Sequence, residues 1–281
     1  MWKQKISISL GNHDEVDTSE VVKLVKEIGF DAISPEYEGD EVLLPIVQTA
    51  EACGLGLASL HAPFGRAAAM WQRDEEAAAP AREELLRSVA ACRRHRIPIL
   101  VVHTWIGFDY TFDGRDLYFG NFDTVVAAAA EAGVRIAFEN TEGEEYLFAL
   151  MEHYKGNEAV GFCWDAGHEM CYNHSRDLLA LFGDRLLLTH LNDNLGISRF
   201  DGKTYWTDDL HLLPYDGIAD WEEIITRLRG SRPLPYLNFE LNLLSKPGRH
   251  ENDEYGRMGY TAYFTAAYRR ACRLAYRYSK D

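Results

Sequence analysis

Short apolar runs alternate with longer amphipathic segments from one end of this chain to the other. That alternation restricts it more than any other feature. Runs at 5–10 (KISISL), 30–35 (FDAISP), 56–61 (GLASLH), 98–103 (PILVVH), 134–139 (VRIAFE), 160–165 (VGFCWD), 185–190 (RLLLTH) and 235–240 (PYLNFE) read as strands. Their starts lie 25, 26, 42, 36, 26, 25 and 50 residues apart, room for a helix in every gap. Helices are expected at 19–28, where Thr18 can cap and Gly29 stop, and at 81–95 behind Pro80. Others are expected at 121–132 ending at Gly133, near 220–229, and at 260–278. Eight strands alternating with helices imply parallel pairing through crossovers. Neither GxGxxG nor GxxxxGK[ST] follows an early strand, so an open nucleotide-type sheet loses its main support. The length of 281 residues fits a (β/α)8 TIM barrel of about 250 residues with insertions. No linker or charge run divides it, so 1–281 is expected to form a single domain.

The barrel reading directs attention to the carboxyl ends of the strands, where such folds build their sites. Those ends are His61, His103, Glu139, Asp165, His190 and Glu240, with Glu36 just past the second strand. Each alone has a packing or capping explanation. Together, three imidazoles and three carboxylates converging on one small volume would repel or stay unpaired unless a cation joined them. Mixed imidazole and carboxylate donors suit one divalent ion (Mn, Zn, Co or Mg), with a second or third possible. Asp165-x-x-His168 lies just beyond a strand, and Asp209-x-His211 lies in the long 191–234 gap.

The chain resembles the xylose-isomerase-like TIM-barrel superfamily of ketose epimerases, sugar and inositol isomerases or dehydratases, and endonuclease IV. The resemblance rests on LHAPF (60–64), VVHTW (101–105), IAFEN (136–140), CWDAGH (163–168), LTHLNDN (188–194), HLLPYDGIADW (211–221) and NFELN (238–242). It implies Glu139, Asp165, His190 and Glu240 as ligands of one metal, with Glu139 and Glu240 also the catalytic proton-transfer pair. His168 would then bind substrate oxygens. His61, His103, Asp209 and His211 match further ligands of the three-metal cluster in endonuclease IV. As substrate contacts we expect His168, His61, His103, His211 and Trp105, with His168, Asp209 and His211 as possible additional metal ligands. The superfamily's PGxG turn is here PYDG (214–217), which leaves the shape of that loop open.

The function expected is that of a metal-dependent isomerase or epimerase of a sugar, sugar phosphate or polyol, in carbohydrate metabolism. The alternatives are an endonuclease IV-like phosphodiesterase and a non-catalytic metal-binding barrel. Trp71, Trp105, Trp206, Tyr215 and Phe64 fall in expected mouth loops, where an aromatic face can stack on a sugar. Arg66, Arg199, Lys203, Lys246, Arg249 and Arg257 are loop cations within reach of a phosphate. With 44 acids against 29 bases the net charge is −15, which argues against nucleic acid or an anionic membrane as partner. The 191–234 gap alone holds eight acids and five bases. Five scattered cysteines without CxxC, no apolar run of the ~18–20 residues that spans a bilayer, and an N-terminus (MWKQKISISLGN) unlike a signal peptide suggest the cytoplasm.

Overall fold

A computed structural model describes residues 4–11, 17–115 and 117–280; part of the N-terminal stretch read for a signal peptide lies outside them. The described strands are β1 (Lys5–Leu10), β2 (Ala32–Pro35), β3 (Gly56–Leu57), β4 (Leu60–His61), β5 (Ile99–His103), β6 (Arg135–Glu139), β7 (Val160–Asp165), β8 (Leu186–His190) and β9 (Tyr236–Phe239). Hydrogen-bonded neighbours run β3-β2-β1-β9 and β4-β5-β6-β7-β8, all parallel. Two bridges close these arcs into a ring, Glu36 to His61 and Leu191 to Phe239. Backbone hydrogen bonds support them: Tyr37 N–H to the His61 carbonyl and Leu191 N–H to the Asn238 carbonyl, both 2.9 Å. The fold is a (β/α)8 barrel. Its third stave, expected as one strand, is broken, so that β3 pairs with β2 and β4 with β5. Staggered staves meet their two neighbours at different heights, and a short stave can serve each in turn.

Helices follow the staves: α1 (Thr18–Ile28), α2 (Asp40–Cys53), α3 (Glu75–His95), α4 (Gly120–Ala132), α5 (Glu144–His153), α6 (Ala166–Cys171), α7 (Leu178–Phe182), α8 (Trp221–Arg229), α9 (Asp253–Met258) and α10 (Tyr260–Tyr278). Two expected starts need correction. Asp17, not Thr18, caps α1, accepting from Ser19 N–H at 2.9 Å. α3 begins six residues before the expected position, where Asp74 accepts from Glu76 N–H, and carries Pro80 inside it. The cap supplies a start signal that outweighs the hydrogen bond Pro80 cannot make. Among the described residues, no helix is long and apolar enough to cross a membrane.

Strand alternation sorts the side chains. Ile6, Ile8, Leu10, Ile33, Leu60, Leu100, Val102, Ile136, Phe138, Phe162 and Phe239 pack outward against the helices in the main core. The opposite parity points into the barrel. On one side it is apolar, with Ile99, Val101, Ala137, Cys163 and Leu188 packed together. On the other it is a polar network centred on Asn238. Ser7 and Ser34 hydroxyls donate to Asn238 Oδ1 at 2.8 and 3.0 Å, and Asn238 Nδ2 donates to Ser9 at 3.0 Å. Carried one step further along each strand, the same parity delivers the polar strand ends to the barrel mouth.

The PYDG loop is anchored by Asp193, which is fully buried. Its Oδ1 accepts from the Asn194 and Ala219 N–H groups at 2.9 and 3.0 Å, and its Oδ2 from Tyr215 N–H and Trp221 Nε1–H at 2.8 and 2.9 Å. A Cβ at Gly217 would stand 2.2 Å from Asp193 Oδ1, so only glycine admits this approach. Asp193→Ala orphans four donors and is expected to lower stability by about 3 kcal/mol or more. A thermal midpoint within about 2 °C of the parent would contradict this anchoring role.

Candidate metal and catalytic site

The register sets the heights of the functional side chains. His103 lies opposite Glu139 in the β5–β6 pair, and Asp165 opposite His190 in the β7–β8 pair. Glu240 follows β9 directly, its N–H bonded to the Leu191 carbonyl at 3.2 Å. Glu139, Asp165 and His190 are buried at the floor of the mouth. His190 Nδ1 lies 2.7 Å from Glu139 Oε1 and 3.1 Å from Glu240 Oε2. Donor atoms of Glu139, Asp165, His190 and Glu240 all lie within 4.8 Å of one another.

Asp165 combines two roles that its sequence position left open. It caps α6, its Oδ1 accepting from His168 N–H at 2.7 Å, while Oδ2 accepts from Asn192 Nδ2 at 2.9 Å. A carboxylate has lone pairs to spare beyond these two bonds. Asn140 fixes the same corner, accepting from Asp165 N–H and donating to the Asp165 carbonyl.

Two further groups flank these four residues. His61 and His103 each bring Nε2 to 3.3 Å from Glu139 Oε2. On the other side, Asp165, His168 and His211 form a set with the same mutual closeness, and Asp209 Oδ1 lies 2.7 Å from His211 Nε2 and 3.4 Å from His168 Nε2. His211 adopts a left-handed backbone conformation (φ 47°), rare for a side-chain-bearing residue and characteristic of constrained sites.

The donor arrangement itself asks for cations. Nδ1 of His61, His168 and His211 faces a backbone carbonyl, of Ala62, Asn140 and Glu240, at 2.9, 2.9 and 3.1 Å. With Nδ1–H donating there, each Nε2 turns a bare lone pair towards a carboxylate oxygen, and Asp209 Oδ1 is left buried without a hydrogen-bond donor. Nitrogen and oxygen lone pairs at 2.7 Å need a proton or a metal ion between them. These residues therefore fit a divalent ion in their donor set, burial and spacing.

Without metal, protons must do that work, and the titration follows. Burial alone would raise Glu139, but the His190 charge and hydrogen bonds from His103, His190 and His61 hold its carboxyl well below the usual range. Burial opposes charge on Glu240 too, yet His190 brings it down to about 2. Burial disfavours the His211 imidazolium, but Asp209 overcomes this and lifts it to about 9. His168 and His190 are likewise raised against the cost of burial, by Asp165 with Asp209 and by Cys163 with Glu139. Asp165 moves up because burial dominates. A histidine raised in the folded state contributes stability below its unfolded pKa of about 6.5, and loses it as pH rises through the folded value. Chelator-stripped protein is thus expected to melt at lower temperature at pH 9 than at pH 7, with the difference shrinking when Zn²⁺ or Mn²⁺ is restored. Equal melting at both pH values in the stripped protein would contradict this charge pattern.

Above the floor opens a cavity of about 450 Å³, lined by Glu36, His61, His103, His168, Asp209, His211 and Glu240. Its walls are Phe64, Ile106, Phe108, Tyr172 and Trp206. Of the aromatic residues expected at the mouth, Phe64 and Trp206 line this cavity. Trp105, expected as a substrate contact, does not. Its indole stacks on Tyr146 at 4.1 Å and donates to the Gly107 carbonyl, so it packs the loop after β5. Trp71 is buried, donating to the Thr104 carbonyl, and Tyr215 lies under Arg273. Of the six loop cations, Lys246 alone lines the cavity, 3.4 Å from Asp209 Oδ2. Arg66, Arg249 and Arg257 pair with Glu84, Asp208 and Glu254, and Arg199 lies over Tyr205. Sequence reasoning missed the walls Phe108 and Tyr172 and the lining carboxylate Glu142, whose Oε1 accepts from Gly107 N–H at 2.8 Å. Glu142 follows the ENT segment and was open to suspicion from that position.

The family model for the xylose isomerase-like TIM barrel matches residues 22–254. The uncharacterized protein y4fM of Sinorhizobium fredii (strain NBRC 101917 / NGR234) is 35% identical over 128 residues, which is 43% of this chain and only 38% of that protein. Among solved structures, the IolI protein with a binding zinc atom superposes with a TM-score of 0.75 at 16% identity, over 98% of this chain and 99% of its own. L-ribulose 3-epimerase superposes with a TM-score of 0.72 at 15% identity, over 98% of this chain and 95% of its own. At such identities the likeness establishes the fold.

Proposed function

This chain belongs to the xylose isomerase-like TIM barrel family, and on that premise we propose that it is a divalent-metal-dependent isomerase or epimerase of a sugar or related polyol, folded as one domain over 1–281. The observation that carries the reading is the convergence of Glu139, Asp165, His190 and Glu240 beneath a cavity that Glu240 itself lines. The zinc in IolI and the sugar chemistry in the name of L-ribulose 3-epimerase support it.

Glu139, Asp165, His190 and Glu240 would hold the metal, which when bound supplies Lewis-acid stabilisation of negative charge developing on neighbouring substrate oxygens. The protein's own groups move the proton. Glu240 reaches the cavity and takes the proton from the carbon beside the substrate carbonyl. Glu139 lies below the cavity floor, and its Oε2 is shared by His61 and His103 Nε2 at 3.3 Å. We infer that its proton traffic runs through these imidazoles, and that they and Glu240 serve the two faces of the substrate. Deprotonation on one face and reprotonation on the other inverts a carbon; return to the neighbouring carbon isomerises. His168, its Nδ1–H held by the Asn140 carbonyl, turns Nε2 to a substrate hydroxyl beside the reacting carbon and accepts its hydrogen bond. The direct assay is chromatography of neutral ketoses after incubation with metal-loaded protein. Formation of an isomer or epimer is expected, and inertness towards a broad ketose panel overturns the reading.

A phosphodiesterase of the endonuclease IV type has one observation in its favour, the two additional clusters built on His61 with His103 and on Asp209 with His168 and His211. Against it stands the charge. Gripping a duplex needs several Lys or Arg at phosphates, each adding affinity by counterion release, whereas Lys246 is the only Lys or Arg lining the cavity among the described residues. No incision of an abasic-site duplex is expected at low salt with Zn²⁺ or Mn²⁺. Specific incision that disappears in Glu240→Gln would replace the sugar reading with the nuclease.

A further inference from the structure

Among the described residues, every carboxylate lining the barrel mouth has a protein partner for its side chain except one. Glu139 meets four imidazoles, Asp165 the His168 N–H and Asn192, Asp209 His211 and Lys246, and Glu240 His190. Glu142 accepts from Gly107 N–H. Glu36 has no hydrogen-bond or ion-pair partner among the described residues. It continues the inward parity of β2 and bridges to His61, which puts it on the lining of the cavity. Gly11, at the mouth end of the first stave, lies beside it; a Cβ there would stand 3.7 Å from Glu36 Oε1. In the closed ring, β2 lies diametrically across from β7, which carries Asp165. Glu36 thus stands across the cavity from the stave that carries Asp165, and among the described residues nothing completes the hydrogen bonds of its side chain.

We propose that Glu36 contacts the substrate, accepting hydroxyl hydrogen bonds from the end remote from Asp165 and restricting the site to uncharged polyhydroxy compounds. This rests on the isomerase or epimerase reading and narrows its substrate class. A carboxylate is a strong acceptor for hydroxyl groups. A phosphate or carboxylate in the same position would face like charge. Lys246, the one lysine or arginine lining the cavity among the described residues, is committed to Asp209 at 3.4 Å and lies over Trp206. Repulsion of this kind discriminates between otherwise similar ligands. The walls Phe64, Phe108 and Trp206 give the C–H faces of a polyol something to stack against without adding charge.

The test uses metal-loaded protein and a panel of short ketoses and polyols beside their phosphate esters, read first as protection against thermal unfolding. Neutral members are expected to protect, and their esters are not. For the best neutral ligand, Glu36→Gln should weaken binding by about tenfold or more, the scale of a charge-assisted hydrogen bond, with metal content unchanged by elemental analysis. Glu36→Lys should admit the ester of that ligand. The proposal is overturned if esters bind as well as their neutral parents, if no neutral member binds, or if Glu36→Gln leaves affinity unchanged. Binding without turnover would instead sink the isomerase reading and leave Glu36 its role. Turnover of a phosphate ester would do the reverse.

Discussion

Asp165→Ala and Glu240→Ala proteins are expected to lose most of their divalent metal after dialysis while keeping the far-ultraviolet circular dichroism of the parent. Each removes one of four donors that sit within 4.8 Å of one another. Loss of even an outer partner of a metal ligand commonly costs 10–100-fold in affinity, so loss of a ligand should exceed that range. Alanine at Asp165 also uncaps α6 and frees Asn192 Nδ2, so Glu240→Ala, which removes no cap, is the cleaner variant. A paired measurement counts the ions. His61→Ala and Asp209→Ala each open a flanking cluster and leave all four central donors in the chain, although the first also removes a contact of Glu139. If the protein holds one ion, both keep it; if it holds more, each loses part of the total. Unchanged metal in both Asp165→Ala and Glu240→Ala would defeat the ligand assignment.

Glu240→Gln and Glu139→Gln are each expected to lower turnover of a confirmed substrate by about 10²-fold or more, the usual scale for a positioned acid or base. The two should differ in manner. Glu240 faces the cavity directly, so its loss removes the group proposed to meet the substrate. Glu139 lies beneath His61 and His103, through which it is proposed to act. Its amide would present hydrogen-bond donors to imidazoles that now meet an anion, so both Nε2 atoms lose the charge that holds them. Metal content must be measured alongside, because both residues belong to the proposed ligand set. Parental turnover in both variants would remove glutamate from the proton-transfer role.

Much of the site was legible because one rule governs it. In a closed parallel barrel, the inward parity of each strand ends at the mouth, and PILVVH, VRIAFE, VGFCWD and RLLLTH each end on an inward polar residue. His61, His103, Glu139, Asp165, His190 and Glu240 could therefore be placed together without knowledge of register. Contacts that depend on where a loop turns were not readable. Trp105 stands two residues past His103, where it could face the mouth or the helix layer, and only the stack on Tyr146 decides this. Asp193 sits inside LTHLNDN beside a metal-ligand candidate, yet its oxygens serve the PYDG loop, a pairing across more than twenty residues. Glu36 was visible just beyond the second strand. Its importance lies in the absence of a partner, which depends on every neighbouring stave. The start of α3 was misplaced because Pro80 is a strong local signal and the Asp74 cap a quieter one.

The central claim is metal-dependent proton transfer at a carbon beside a carbonyl, and wash-in of solvent deuterium tests it most directly. Metal-loaded protein, incubated with neutral ketoses in deuterated water, is expected to place deuterium on the carbon adjoining the carbonyl of at least one of them. That incorporation should disappear on chelation and in Glu240→Gln. Ketose turnover without any carbon-bound deuterium, both in recovered substrate and in product, is the outcome of a hydride shift or of complete internal return of the proton to the neighbouring carbon. Shortening the chain of exchange by replacing His61 with Ala should then expose it. Absence of deuterium in every ketose, before and after that replacement, would contradict the account.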